Sequence, residues 1–129
     1  MVTAGFWPTL GVEGKMSGRK DSEKIRKSFN RKIVACLLEE IVLTHFRECS
    51  FCGYDVVVFL QRELGTSLSS ATVYGSLYSM ERKGLLTGHS EDRKRIFRIT
   101  ELGNLTVKIL ASKIEIDRLV TVVLTPAKV

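Results

Sequence analysis

Two sets of residues in this chain have the types and spacing to do chemistry. The larger lies in and around Thr72 to Thr100, TVYGSLYSMERKGLLTGHSEDRKRIFRIT. Ser70, Thr72, Gly75 and Ser79 are small or carry hydroxyls, and Tyr74, Tyr78 and Arg82 place larger donors beside them. On one helix such a surface enters a major groove and meets base edges. Arg93, Lys94, Arg95 and Arg98 follow, and their cationic groups hold backbone phosphates without reading sequence. The second set is His45, Cys49 and Cys52. Imidazole and thiolate are zinc donors, but zinc takes four ligands, so His89 or a residue of a second subunit is needed to complete a site. The CxxC spacing also fits a redox or disulfide pair, and it fits cysteines that are incidental to function. No phosphate-cradling glycine loop, HExxH or Ser/His/Asp grouping is visible, which argues against an enzyme. No cofactor is implied.

Composition points the same way. At 129 residues with a formal net charge of +6 and a pI near 9.4, the chain has material for one core and an excess of charge that favours a polyanion. No apolar run reaches bilayer length, and the start MVTAGFWPTL lacks the form of a secretory signal. Three cysteines are too few and odd in number for a secreted disulfide framework, so a cytoplasmic protein with no membrane partner is expected.

The elements that must position these residues can be read in order. Residues 1–20 are glycine-rich and aperiodic, an expected disordered arm in which Phe6 and Trp7 stand out and Met16 is a second candidate start. From Ser22 a single long amphipathic helix is expected, capped by Asp21 or Ser22, with Ile25, Phe29, Ile33, Cys36, Leu37 and Ile41 as its apolar stripe and Cys36 as a small core residue. Its cluster of Lys24, Arg26, Lys27, Arg31 and Lys32 fits a solvated face or a supporting phosphate contact. Arg47 to Phe51 breaks the pattern. Gly53 to Leu64 is the next helix, with Tyr54, Val57, Val58 and Leu60 to Leu64 as apolar positions and Gly65 ending it. Ser69 caps a helix from about Ser70 to Lys83, whose Val73, Leu77 and Met80 define the core side. Gly84 ends that helix. Leu85 to His89 and Arg95 to Ile99 then pair as a ribbon, with HSEDRKR as a mobile, basic-sided tip.

Thr100 opens the last helix. There Leu102, Leu105, Ile109, Ser112, Ile116, Leu119 and Val123 repeat at four and three residue steps, as in a coiled-coil seam. Such a seam calls for the same helix, or the first helix, of a second copy, with Leu105, Ile109, Ile116, Leu119 and Val123 as dimer contacts. The alternative is that it folds back on its own domain. The expected fold is mainly α with a small β-hairpin: a winged helix-turn-helix over residues 21–100, and a long dimerisation helix over residues 101–125.

With these residues in place the chain resembles the PadR family of winged-helix transcriptional regulators, from about Ile33 to the last helix. The likeness rests on Gly53-Tyr54, on Thr72-Val73-Tyr74 with Leu77, on Met80 to Leu86 (MERKGLL) and on Arg95 to Gly103 (RIFRITELG). It implies a homodimer that binds double-stranded operator DNA, a C-terminal dimerisation element and, in some members, a small-molecule effector near the dimer interface. The chain departs from the family in two places. THFRECSFC replaces a short Gly-Pro type connection, and Glu91-Asp92-Arg93-Lys94 replaces a Gly-Arg-Pro-like wing tip. A sequence-specific regulator acting as a homodimer on a near-palindromic operator is the leading expectation. A winged-helix protein-interaction module, or a DNA-binding redox or metal sensor using Cys49 and Cys52, is the alternative.

Overall fold

Glycines in the left-handed region punctuate the middle of the chain. Gly65 (φ 59°) closes one helix and Gly84 (φ 83°) follows the next, conformations that cost a residue without Cβ little. The computed structural model describes residues 18–113 and 116–126. The expected arm, with Phe6, Trp7 and Met16, therefore lies outside the described residues except at its last few positions.

The elements are α1 (Arg19–Cys36), α2 (Leu38–His45), α3 (Gly53–Leu64), α4 (Ser70–Arg82), β1 (Leu86–Glu91), β2 (Lys94–Ile99), α5 (Glu101–Lys113) and α6 (Ile116–Leu124). The fold is mainly helical with one antiparallel hairpin, as expected from the sequence. Sixteen buried apolar residues drawn from α1 to α5, the loops and the hairpin form one core, centred on Val42, Leu43, Val56, Leu60, Val73, Leu77, Met80 and Phe97.

The single first helix expected from the sequence is instead two. Leu37 leaves helical geometry (φ −102°, ψ 16°) although its N–H still bonds to the carbonyl of Ile33 at 3.0 Å. Neither Pro nor Gly marks the break, and its effect is on packing. Leu38 and Val42 of α2 lie on the far side of the helical wheel from Ile25, Phe29 and Ile33, and they are the ones in the core. The α1 stripe is correspondingly out of it: Ile25, Phe29, Ile33 and Leu37 are at least 40% exposed, Cys36 is exposed, and only Val34 of α1 is buried. The helix starts at Arg19 with Gly18 as its N-cap, so neither Asp21 nor Ser22 holds the capping position expected of it.

The face of α3 also differs from expectation. Gly53, Val56 and Leu60 are buried while Tyr54 points out. The helix begins where Cys52 N–H donates to Asp55 Oδ2 (2.9 Å), satisfying an amide that would otherwise be left open at the turn. Phe51, just before it, bridges to Phe97 through Phe97 N–H to Phe51 O (2.7 Å) and Phe51 N–H to Phe97 O (3.0 Å). The hairpin is thereby stitched to the α2–α3 connection.

The C-terminal helix is described in two parts, α5 and α6; the joint at 114–115 and the side chains of Ser112 and Ile116 lie outside the described residues. Thr100 caps α5 as expected, its Oγ1 accepting from Gly103 N–H (3.1 Å) and donating to Gly84 O (2.6 Å), while Thr100 N–H bonds Leu85 O (3.1 Å). Gly103 sits so close that a Cβ there would fall 2.6 Å from the Leu85 carbonyl. Among the described residues of α5 only Val107 belongs to the core cluster, and Leu102, Leu105, Ile109, Leu119 and Val123 are 49–76% exposed. An apolar groove of about 750 Å³ runs between α1 and α6, lined by Phe29, Ile33, Cys36, Leu64, Leu119 and Val123 among others.

Candidate nucleic-acid interface

The N-terminus of α4 is built by Ser69, whose Oγ accepts from Thr72 N–H (3.1 Å) and lies 2.9 Å from the Thr72 hydroxyl. Burying Val73, Leu77 and Met80 turns the opposite side of the helix outward. Ser70, Thr72, Gly75 and Arg82 are exposed, Tyr78 is 40% exposed, and Tyr74, Ser76 and Ser79 are half-buried. Gly75 is informative because nothing among the described residues requires it: a Cβ added there would meet open space. A mid-helix glycine costs about 0.5–1 kcal/mol relative to alanine, and here no internal contact repays it.

Tyr74 and Tyr78 sit on the flank and carry structural contacts of their own. A Cβ at Gly53 would clash with the hydroxyl end of the Tyr74 ring, so the glycine opening α3 is what admits the tyrosine. The Tyr78 ring is 6.2 Å from Tyr74 and packs edge-on against Phe97 at 5.9 Å, joining α4 to the wing.

The hairpin pairs Leu86 with Ile99 through to Glu91 with Lys94, so the strands run to a two-residue turn at Asp92-Arg93. The mobile seven-residue tip expected from the sequence is instead mostly strand. Asp92 (φ 50°) and Arg93 (φ 66°) both take the left-handed region that such a turn demands. Asp tolerates it, but Arg there holds of the order of 1–2 kcal/mol of strain. The turn presents Arg93 at the apex, with Lys94 exposed next to it.

Arg95 is placed otherwise than the sequence implied. Its Nη2 donates to Glu81 Oε2 at 2.6 Å, with side chains 31% and 25% exposed, and its Nε is buried without a hydrogen-bond partner. Gly88, across the ribbon, leaves the room: a Cβ there would crowd Arg95 Nε, Phe97 and Glu81 at 3.1–3.3 Å. Arg95 thus braces the wing against α4 through Glu81. Sequence spacing hid this pair because strand register, not proximity along the chain, brings its members together. Arg98 stays exposed and reaches Ser50 Oγ at 3.2 Å. Lys83 Nζ bonds Glu39 Oε2 at 2.7 Å and anchors the end of α4 to α2.

The His45, Cys49 and Cys52 grouping does not assemble. Helix α2 ends at His45, so Cys49 is not on its face; the His45 ring lies against Phe59 (4.8 Å), Cys49 is exposed and Cys52 is buried. Among the described residues no three His, Cys, Asp or Glu side chains form a group able to hold a metal.

The model of the transcriptional regulator PadR-like family matches residues 42–108, from within α2 to within α5. The comparison with curated proteins gives no match. Among solved structures the chain is similar to a PadR family transcriptional regulator from Eggerthella lenta (TM-score 0.64, 20% identity, 83% of this chain and 99% of that one). It is similar to a transcriptional regulator from Clostridium thermocellum (TM-score 0.60, 18% identity, 74% and 96%). It is also similar to Bacillus subtilis PadR in complex with operator DNA (TM-score 0.55, 20% identity, 61% and 48%). At these identities the likeness is one of fold.

Proposed function

Because the chain belongs to the PadR-like family of transcriptional regulators, a family of non-catalytic DNA-binding proteins, we propose that it acts as a homodimer on a near-palindromic DNA operator. In this reading α4 enters the major groove with Ser70, Thr72, Gly75, Ser79 and Arg82 towards the bases, and with Tyr74 and Tyr78 at its edge. The wing lies on the adjacent backbone through Arg93, Lys94 and Arg98, while Arg95 only positions it. The observation that carries the proposal is Gly75: an exposed helical position where the fold gains nothing from glycine, on the face opposite the core, is what close approach by a bound surface requires.

The dimer is supported by apolar surface that one chain leaves uncovered. Leu105, Leu119 and Val123 on α5 and α6, with Phe29 and Ile33 on α1, are 40–76% exposed, and all but Leu105 line one apolar groove. A second copy covers it by a twofold contact, which puts the two α4 helices about 34 Å apart, one turn of duplex. The groove between α1 and α6 is the cleft available to an effector at that interface. No helix among the described residues is long and apolar enough to cross a membrane.

Selection of bound sequences from random duplex DNA tests the proposal. The expected outcome is an enriched site with twofold symmetry and half-sites one turn apart. Absence of enrichment at moderate salt would leave the protein-interaction reading in its place.

A further inference from the structure

Helix α1 lies before the segment matched by the family model, which begins at residue 42. It nonetheless carries an ordered charge pattern. Lys20, Lys24, Lys27 and Arg31 recur at steps of four, three and four residues, all exposed, so they form one stripe about 16 Å long on a single face. Among the described residues none of the four is in an ion pair, and the one ion pair within α1, Arg26 with Glu23 at 3.8 Å, involves a different arginine. The stripe ends in a cleft of about 640 Å³ between α1 and the start of α4, lined by Ser28, Arg31, Lys32, Ser67, Ser69 and Thr72. Arg31 also lines the neighbouring depression with Lys27, Gln61 and Ser67. No carboxylate lines either one. With Glu23 beside Lys20, Lys24 and Lys27 at its start, the stripe leads to the first turn of α4, where the Ser69 and Thr72 hydroxyls and the helix N-terminus already favour an anion.

We infer that α1 is a second DNA-binding surface, its Lys20, Lys24, Lys27 and Arg31 stripe seated on the phosphates that flank the groove entered by α4. This rests on the DNA-binding reading above and extends the contact beyond α4 and the wing. The geometry favours duplex DNA over an anionic membrane. An interfacial helix needs its apolar side free to enter lipid, whereas in the proposed dimer a second copy covers the apolar side of α1, where Phe29 and Ile33 line one groove with Leu119 and Val123.

The test compares the full chain with a variant in which Lys20, Lys24, Lys27 and Arg31 are all alanine, and with one in which the three lysines become arginine. Alanine favours helix, so α1 is retained, and circular dichroism checks it. Each phosphate contact contributes about 0.9 to the slope of log affinity against log salt, so the alanine variant should lose roughly three to four from that slope per protomer. It should enrich the same DNA sequence, while the arginine variant keeps the full slope. An unchanged slope overturns the inference. So does a changed sequence preference, which would mean that the stripe acts through α4. Binding of the parent chain to phosphatidylserine vesicles that the alanine variant loses, with its DNA slope intact, assigns the stripe to membrane and overturns it too. If the parent chain enriches no DNA at all, the proposed function fails first and this inference with it, a result distinct from a parent that selects DNA with an unaltered slope in the variant.

Discussion

Two residues of the proposed interface stand where folding alone would not put them. Gly75 occupies an exposed helical position without a packing reason, and Arg93 occupies a left-handed turn position that glycine would fill at less cost. Each substitution that suits the fold should therefore harm binding. Gly75→Ala is expected to raise unfolding stability by about 0.5–1 kcal/mol while lowering affinity for the selected operator relative to random DNA. Arg93→Gly is expected to stabilise by about 1 kcal/mol through relief of the turn, and to weaken selected and random duplexes alike, since it removes a phosphate contact only. Urea denaturation paired with competition binding reads both quantities. A Gly75→Ala protein that binds its operator as tightly as the parent would remove that residue from the contact surface.

The wing and α4 work as one element because Arg95 and Glu81 join them. Arg95→Ala should cost about 1.5–3 kcal/mol, the usual worth of a hydrogen bond to a charged group in a partly enclosed site, and should raise amide hydrogen exchange in β1 and β2. Arg95→Lys should restore part of it, because the pair is joined by one charge-assisted bond, which an ammonium can also make. Protection in the ribbon that is the same in Arg95→Ala as in the parent would mean that Tyr78 and Phe97 hold the wing without the ion pair. The elements with local signals were legible in the sequence: α3 and α4 between Gly65, Ser69 and Gly84, and the start of α5 at Thr100, each have their end marked by a residue that solves a backbone problem on the spot. What was not legible depends on distant partners. Nothing at Leu37 announces that α1 and α2 bury different sides, and the two-residue turn lacks the Asn-Gly or Asp-Gly pair that usually declares one. The commitment of Arg95 follows from pairing across the ribbon and onto another helix, which no spacing along the chain encodes.

At the scale of the whole molecule, the proposed dimer makes the half-exposed seam on α5 and α6 set assembly and operator symmetry together. Leu105→Asp with Leu119→Asp should leave the core intact, since neither residue belongs to it, and should turn the dimer into a monomer by sedimentation velocity. The monomer should keep its preference for a single half-site and lose the benefit of the second. A double variant that still sediments as a dimer would move the interface elsewhere. The way this seam is joined to the reading head matters for such a pair. Thr100 grips both sides of the Gly84 turn, and Gly103 rests almost on the Leu85 carbonyl, so the joint between α4 and α5 has no slack. Two heads mounted in this way behave as the jaws of a fixed caliper. An operator with one base pair inserted between its half-sites, about 3.4 Å of extra length, has to be met by bending or twisting the DNA rather than by flexing this hinge.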